Sequence, residues 1–402
     1  MIPLKALYAL LPASQLECLA STYELDREHQ VKLSGPVMFV CLLNGLLNHN
    51  ELTLRLLQET YHKQTGREAD HSSFSKCLAR IPPGYFADVL AHLHQKLAPQ
   101  ITLGEARSLR LRIVDATIVT LSAKLLDFGL LVGTRSPDKS RRHVKSVWEL
   151  SEAGLPNFLH LCTHQSENAD SVALGATMKT HTQPGDLWVF DKGCHGRERL
   201  LALHQANAFF VTPHRDQNIK VEQVVVQTDP ADWPRVPPSK GHPRFVLTRV
   251  VQGVFENSDN TAPNQAKWGQ MPLILVEGLR FDVRTRRWTP LQVMTNLPLS
   301  PDGHQAGPYT FLELAEVYRQ RSQIEGFFKF IKQHLSYSHL ISRCENGIRV
   351  MIYMSLIAAL LLIWYKYQTG LDRGWRSVKF WLAEEVRQWT QQALLQADLV
   401  PS

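Results

Sequence analysis

Apolar residues recur at three-to-four spacing through the first quarter of the chain. This period predicts helices over 35–49, 52–64, 72–82 and 84–98. We therefore expect residues 1–105 to form an all-helical domain. The two middle helices resemble a helix-turn-helix, whose second helix begins at a serine cap and presents Lys76 and Arg80 outward. Because helical hairpins are also common in ordinary packing, the pair indicates a DNA-binding domain and plain helical packing equally.

The pattern changes near residue 106. Runs rich in β-branched residues predict strands at 107–122, 143–152 and 156–164, a helix at 170–180 and a short strand within 185–196. This order predicts an α/β core of the ribonuclease-H-like type, with its first part over 106–208. Strand-like runs separated by Pro, Gly, Asn and Asp then predict a β-rich insertion over 209–304. Helices resume over 305–402, as the second part of the core with C-terminal helices.

Composition narrows the class only slightly. The chain has 402 residues, of which 44% are hydrophobic and 20% charged, which predicts two or more domains with a sizeable core. The formal charge of +7 favours a polyanionic partner, although many basic enzymes bind no nucleic acid. The six cysteines are far apart and without zinc-site spacing, which indicates reduced thiols in a cytosolic protein.

The sequence gives little indication of a membrane segment. The N-terminus lacks the apolar core and cleavage site of a signal peptide. The apolar run 350–365 is shorter than the roughly 20 residues that cross a bilayer, so we expect a buried helix there. We therefore predict a cytoplasmic protein that has no membrane partner.

Two aspartates stand out because they interrupt or end apolar strand runs. Asp115 follows "RLRIV", and Asp191 ends "LWVF" just before a glycine-bearing turn. A carboxylate in such a position costs free energy unless a metal ion or another partner neutralises it. One such aspartate alone is more often a turn or cap residue. The competing carboxylates occupy turn or cap positions and are weaker candidates: Asp127, Asp138, Asp170 and Asp186.

The stretch "EVYRQRSQIEGFFKFIKQHL" (316–335) adds a third carboxylate. Thr310 and Glu313 predict a capping box, and no proline then interrupts the helix before 335. In a continuous helix a polar row lies within an arc of roughly 60°: Tyr318, Arg321, Glu325 and Lys332. An apolar stripe lies about 90° away and is expected to pack on the sheet: Val317, Ile324, Phe327, Phe328, Ile331 and Leu335. Helical geometry alone is equally compatible with a solvated Arg321–Glu325 pair.

These residues carry a family resemblance. The spacing of Tyr318, Arg321, Glu325 and Lys332 resembles the YREK signature of DDE transposases of the insertion sequence 4 family. "VDATIV" and "VFDKGCHG" are similar to the family's two aspartate strands, and "VMTNLP" is similar to the strand that leaves its β insertion. The order agrees, because in this family a β domain lies between the second aspartate and the glutamate. The resemblance covers 107 to about 365 and is weaker in the N-terminal helices.

The resemblance implies a set of roles. Asp115, Asp191 and Glu325 would be the catalytic, metal-binding triad and would hold a pair of Mg²⁺ ions, which Mn²⁺ could replace. The phosphates flanking the scissile bond would be bound by Tyr318, Arg321 and Lys332. Lys192 stands where an arginine is common in the family. A base-receiving role for Trp288 remains open.

The implied activity is that of a DNA transposase of an insertion sequence. It would cut the inverted ends and join them to target DNA by metal-dependent phosphoryl transfer. Its partner would be double-stranded DNA, on which a homodimer is expected, in the cytoplasm at the bacterial nucleoid. Two alternatives remain: a non-catalytic DNA-binding descendant acting as a repressor, and a metal-dependent nuclease of the same fold.

Overall fold

Helices occupy both ends of the chain, and most strands lie between them. The computed structural model describes residues 4–26, 32–101, 109–121, 129–131, 142–152, 154–194, 196–214, 219–234, 238, 245–256, 271–299, 309–370 and 373–396. The α-helices in these ranges are α1 Leu4–Leu10, α2 Ala13–Thr22, α3 Gly35–Asn48, α4 Leu54–Thr65, α5 His71–Arg80, α6 Pro83–Ile101, α7 Asp170–His181, α8 Arg197–Gln205, α9 Phe311–Gln320, α10 Ser322–His334, α11 Glu345–Thr369 and α12 Trp375–Gln396.

The strands form one large mixed sheet. They are β1 Arg110–Leu121, β2 Leu130–Leu131, β3 Arg142–Ser151, β4 Pro156–Cys162, β5 Asp186–Val189, β6 Phe209–Pro213, β7 Ile219–Gln227, β8 Phe245–Phe255, β9 Leu273–Asp282 and β10 Arg287–Thr295. Their main order is β2-β3-β1-β5-β6-β10-β9-β8-β7, and β4 pairs with β3. The predicted α/β class is therefore confirmed at the level of a mixed sheet flanked by helices.

Strand direction divides this sheet into two parts. β3 pairs antiparallel with both β1 and β4, while β5 and β6 run parallel to β1. β10 then pairs antiparallel with β6 and continues into β9, β8 and β7. The strands of the predicted insertion thus extend the same sheet. β6, which lies within the predicted limits of the insertion, pairs directly with β5.

The helices from the two ends of the chain share one hydrophobic core. Trp389 of α12 packs edge-on against Phe39 of α3, with ring centroids 6.5 Å apart. The indole Nε1 of Trp389 also donates to the carbonyl of Leu11 at 3.1 Å. Asn44 Nδ2 donates to Thr390 Oγ1 at 2.8 Å. The predicted division of the chain into domains therefore stays a prediction, because α12 from the end of the chain packs against α3 in the first predicted domain.

The long apolar helix is part of this core. α11 is long and apolar enough to span a membrane, yet 83% of its most apolar window is buried inside the protein. Burial of this kind is expected of a central helix in a large domain. The prediction of a buried helix over 350–365 agrees with this burial.

The predicted serine cap of α5 was wrong, whereas the predicted exposure of two basic residues on this helix was correct. The cap of α5 is Asp70, whose carboxylate accepts the N–H of Ser72 at 2.7 Å, instead of a serine. Aspartate and serine are both good caps, and they lie two residues apart here. Lys76 and Arg80 are exposed on α5, as predicted. All six cysteines are free thiols.

Candidate active site

The parallel pairing of β1 with β5 brings Asp115 and Asp191 to the same level of the sheet. Ile113 pairs with Val189, where β5 ends. Asp115 and Asp191 each lie two residues beyond that pair, on segments that leave two strands spaced about 4.8 Å apart. Asp115 is within β1 and not at its end, since β1 continues to Leu121 beside β3. The pairing of β5 with β1 stops at Val189. Room around the carboxylate of Asp115 therefore comes from the end of β5, while β1 itself continues.

The turn after Asp191 is held by backbone and side-chain hydrogen bonds. The N–H of Cys194 donates to the carbonyl of Asp191 at 3.0 Å, which closes a 3₁₀ turn. Arg199 Nη1 donates to the carbonyl of Cys194. The guanidinium of Arg199 crosses α7 at Gly175, where an added Cβ would lie 2.6 Å from its Nε. A glycine at this position of α7 therefore lets Arg199 hold the turn that follows Asp191.

Aromatic packing places α10 over Asp115. Trp148 of β3 is the residue paired with Asp115 and is fully buried. Its ring lies 5.9 Å from that of Phe327 and 6.0 Å from that of Phe328, both on α10. Facing residues of an antiparallel pair project from the same side of the sheet. The apolar face of α10 is thus anchored beside Asp115, which carries Glu325 to the same side.

The predicted continuous helix over 310–335 is interrupted at Arg321. The capping box of Thr310 and Glu313 is present at the start of α9. α9 ends at Gln320 and α10 begins at Ser322. Here the N–H of Arg321 bonds the carbonyl of Tyr318 at 3.0 Å, which is a three-residue step and tighter than an α-helical turn. The uniform 100° spacing assumed from the sequence therefore fails at this one residue.

Burial of the apolar stripe agrees with the prediction. Its members are all less than a tenth exposed: Val317, Ile324, Phe327, Phe328, Ile331 and Leu335. The polar row beside it is half-buried or exposed. The interruption at Arg321 therefore leaves the amphipathic division of this segment intact.

Arg321 connects the carboxylates of the site. Its Nη2 lies 2.6 Å from Glu325 Oε1, and its Nη1 lies 3.5 Å from Asp115 Oδ2. Burial acts to lower the pKa of Arg321, but nearby groups outweigh it and raise that pKa: Asp191, Tyr318, Glu325 and Asp115. One guanidinium therefore interacts with all three carboxylates that the sequence singled out.

The charge balance of the site favours a bound cation. Burial raises the pKa of Asp115 to about 6, and the negative charges of Asp170 and Glu325 act in the same direction. The N–H of Ala116 and the charge of Arg321 oppose this increase only in part. Oxygen ligands of this kind are the ones that Mg²⁺ prefers. The donor set of Asp115, Asp191 and Glu325 thus fits a divalent hard cation.

Tyr318 and Lys332 lie at the border between this site and the core. Burial raises the pKa of Tyr318, whose nearest charged neighbours include Arg321 and Asp191. Burial lowers the pKa of Lys332. Both side chains are partly exposed, so each combines an apolar setting with access to solvent. This placement is compatible with binding a phosphate.

Comparison with known proteins gives the family. The model described as "Transposase DDE domain" matches residues 107–361, more than half of the chain. The chain belongs to the DDE transposase family. This confirms the family resemblance, and the match contains every carboxylate of the site.

Two relatives of this transposase are informative. A Synechocystis sp. protein, predicted to be a transposase for insertion sequence element IS4SA, is 24% identical over 81% of this chain and 80% of its own length. A Sinorhizobium fredii protein, predicted to be transposase y4zB, is 26% identical over 71% of this chain and 68% of its own length. The predicted function, a DNA transposase of an insertion sequence, agrees with the family and with these relatives.

A solved structure of the piggyBac transposase synaptic complex with hairpin DNA is a distant structural match. It covers 100% of this chain and 86% of that chain, with 9% sequence identity and a TM-score of 0.45. A similarity this distant carries no argument about the present chain.

Asp170 is a fourth carboxylate near the site of this transposase. Asp170 begins α7, as its predicted cap context suggests, yet its charge acts on Asp115. Its Oδ1 lies 2.6 Å from Nζ of Lys145, a buried residue of β3. Asp170 is therefore neutralised by its own lysine and is a weaker candidate ligand than the other three carboxylates. The sequence signal for this ion pair was Lys145, a lysine inside the strand run "HVKSVW".

Of the other competing aspartates, one forms structural ion pairs and two lie outside the described residues. Asp186 is completely buried at the start of β5, where its N–H bonds the carbonyl of Gln183 and closes a turn, as its predicted turn context suggests. It pairs with Arg110 Nε at 2.6 Å and Arg112 Nη1 at 3.0 Å. Asp127 and Asp138 lie outside the described residues. Trp288, whose base-receiving role the sequence left open, packs against Phe281 with ring centroids 5.4 Å apart.

Proposed function

We propose that this transposase cuts the inverted ends of its own insertion sequence and joins them to target DNA. The observation that carries the proposal is the guanidinium of Arg321, which contacts Asp115 and Glu325 and interacts electrostatically with Asp191. Three carboxylates, on β1, just after β5 and on α10, that interact with one guanidinium would cost stability unless cations balance their charge. A site assembled at this cost is expected to have a chemical task.

The core that holds this site is proposed to be ribonuclease-H-like. The strand order β4-β3-β1-β5-β6, with three antiparallel strands followed by two parallel to β1, supports the proposal. α7 precedes β5, and α8 connects β5 to β6. The N-terminal helices are proposed to bind the element's ends, and β7–β10 are proposed to be the insertion.

Asp115, Asp191 and Glu325 would hold Mg²⁺, which Mn²⁺ could replace. When bound, the metal would supply Lewis acidity for the attacking oxygen and the leaving oxygen. The cationic side chains of Arg321 and Lys332 would bind non-bridging oxygens of the phosphates beside the cut. The hydroxyl of Tyr318 would donate to a third phosphate oxygen. These contacts would fix the scissile phosphodiester in line for displacement.

The proposed chemistry has two displacements at phosphorus. In the first, a water oxygen bonds to phosphorus and the 3′ oxygen of the transposon end leaves with a proton. In the second, that 3′ hydroxyl attacks a phosphodiester of the opposite strand or of the target, and a DNA oxygen leaves. No covalent bond to the protein is needed. A homodimer would process two ends together, in the cytoplasm at the nucleoid.

The test is a nicking assay on duplexes that carry the element's end sequence. We expect the wild-type protein to nick the end only with Mg²⁺ or Mn²⁺ and then to form strand-transfer products. Glu325→Gln should bind the same duplex without cutting it. The matched control is Glu316→Gln, because Glu316 lies on α9 and pairs with Arg319, outside the group of three carboxylates.

Each outcome selects one of the three functions. Binding without cleavage by the wild-type protein would indicate a repressor descended from a transposase. Cleavage without strand transfer would indicate a nuclease. If Glu325→Gln and the wild-type protein cut equally fast, the assignment of the triad is wrong.

A further inference from the structure

A groove of about 480 Å³ lies between the N-terminal helices and the elements that carry the active site. One wall is the start of α4 and of α5, with Arg55 and His71. The other wall is Thr120 near the end of β1 together with the segment 338–343 that follows α10. We call this feature the basic groove. It joins parts of the chain that are far apart in sequence.

The two walls of the basic groove are fixed to each other. Ser336, which is fully buried, accepts the N–H of Leu52 at 3.0 Å and donates to the carbonyl of Asn50 at 2.7 Å. Lys379 Nζ donates to the carbonyl of His49 at 2.9 Å and to that of His334 at 2.5 Å. Polar bonds therefore bridge the end of α10 and the segment before α4. The groove has a defined width and is not merely a gap between mobile parts.

The charges that line the basic groove are positive. Arg55 and Arg343 are exposed, and within the part of the chain that the structure describes neither forms an ion pair with a carboxylate. His71 and His339 add two imidazoles. The carboxylate at this edge is Asp70, which already caps α5 and lies 3.1 Å from His71 Nδ1. Unpaired arginines in a concave surface attract phosphate groups.

Both elements that carry site residues lead into the basic groove. β1 reaches Thr120 five residues after Asp115, a distance of about 17 Å along the strand. The chain runs from Glu325 past Lys332 to the end of α10 at His334 and then into the 338–343 segment, where Ser338 Oγ donates to the carbonyl of Lys332 at 3.0 Å. At about 3.4 Å per base pair, the strand distance corresponds to about five base pairs of duplex.

We propose that the basic groove binds the DNA duplex about five base pairs from the scissile phosphate, with Arg55 and Arg343 on backbone phosphates. This inference rests on the proposed function, since it places the groove on the substrate of the same site. It assigns the start of α4 and of α5 to phosphate contacts that set the position of the cut. Contacts of this type fix register and carry no sequence information of their own.

The first test measures the salt dependence of binding to the end duplex by fluorescence anisotropy. Arg55→Ala combined with Arg343→Ala should weaken binding about tenfold or more and lower the slope of log K against log salt by about 2. Arg55→Lys combined with Arg343→Lys should keep most of that slope, because both charges remain. The control is Lys179→Ala combined with Lys220→Ala, two exposed cations outside the N-terminal helices, the groove and the site. Thermal unfolding establishes that every variant is folded.

The second test locates the contact along the DNA. Duplexes are shortened one base pair at a time, separately on each side of the cut. On one side, the difference in binding between the wild-type protein and the double alanine variant should disappear once fewer than about five base pairs remain. A difference that persists at every length on both sides would overturn the proposal. An unchanged salt slope would also overturn it, as would a variant that alters only the oligomeric state.

These results are distinguishable from failure of the proposed function. If the wild-type protein binds the end but does not cut it, the nicking assay rejects the proposed enzyme while the anisotropy slopes still decide on the groove. If the wild-type protein cuts and Glu325→Gln does not, an unchanged slope in the double alanine variant rejects the groove alone.

Discussion

Two aspartates five residues apart, Asp186 and Asp191, have opposite settings. Asp186 is completely buried and accepts hydrogen bonds from Arg110, Arg112 and the N–H of Gln183. Asp191 lies just past the end of the same strand, half-buried, among the carboxylates around Arg321. A carboxylate surrounded by donors stabilises the fold, whereas one that shares a cation with other carboxylates costs stability and is available for chemistry.

The largest effect is expected where the buried aspartate loses its charge. Asp186→Asn should lower the free energy of unfolding by about 3 kcal/mol, toward the lower end for breaking a buried ion pair. The lower end applies because Glu149 Oε2 remains 2.5 Å from Nε of Arg112. Urea unfolding of the purified protein measures the change. A loss of less than about 1 kcal/mol would show that Asp186 is not the structural carboxylate of this comparison.

At Asp115 of the neighbouring strand β1 we expect the opposite result, which is a loss of activity without a loss of stability. Asp115→Asn should slow end cleavage by about 10²–10³-fold, the range for loss of one electrostatic stabiliser at a reacting centre. Its free energy of unfolding should not fall, because burial already disfavours the charged form of Asp115 and raises its pKa to about 6. Single-turnover nicking and urea unfolding, performed on the same preparation, measure both quantities. A stable variant that cuts normally would remove Asp115 from the site.

The ionisation of Glu167 extends this comparison to the pH dependence of stability. Its carboxylate bonds His160 Nε2 at 2.6 Å and accepts the N–H groups of Thr163 and His164 at 2.9 and 3.0 Å. Burial acts to raise the pKa of Glu167, but these bonds outweigh it and lower that pKa below its ordinary 4.5. Ionised Glu167 therefore adds stability above pH 4.5, and this stability is lost as the pH falls through the lower folded-state pKa.

The expected size of that contribution is about 2 kcal/mol at pH 7. Glu167→Gln should be less stable than the wild-type protein by this amount at pH 7, and the gap should shrink as the pH falls below about 4.5. Urea unfolding at a series of pH values measures the gap. A gap that is constant with pH would mean that the lost stability does not come from ionised Glu167.

The smallest effect on stability is expected at Gly175. Gly175→Ala gains about 0.5–1 kcal/mol of helix stability but displaces Arg199 from the carbonyl of Cys194, a bond of similar value. The free energy of unfolding should therefore change little. Cleavage should slow about threefold to tenfold, because the turn after Asp191 loses its brace. The control is Ala176→Gly, at the next position of α7, which changes helix propensity without displacing Arg199. Comparing the nicking rates of the two variants separates the effect of Arg199 from that of helix propensity.

Local patterns predicted most of the elements of this fold. The β-branched runs identified β1 and β3, and the alternation of strand runs with Gly and Pro identified β7–β10. The capping box of Thr310 and Glu313 fixed the start of α9. These signals are sufficient because each depends on neighbours within a few residues.

Features that depend on distant contacts were not predictable in this way. The interruption at Arg321 coincides with its contacts to Asp115, which is 206 residues away in sequence. The effect of Asp170 on Asp115 follows from the packing of α7 against the sheet. The choice of Asp70 over a serine as the cap of α5 is local, but two good caps lie within three residues there. The basic groove joins segments of the chain that no periodicity relates.

The bonds between α12 and the first helices have a consequence for synthesis of the protein. Trp389 and Thr390 bond Leu11 and Asn44 across 378 and 346 residues of sequence. A ribosome that has completed the N-terminal helices and all three carboxylates has therefore still not made the residues that close the helical core. A nascent chain released before residue 389 should therefore lack these bonds and unfold more readily than one that contains α12.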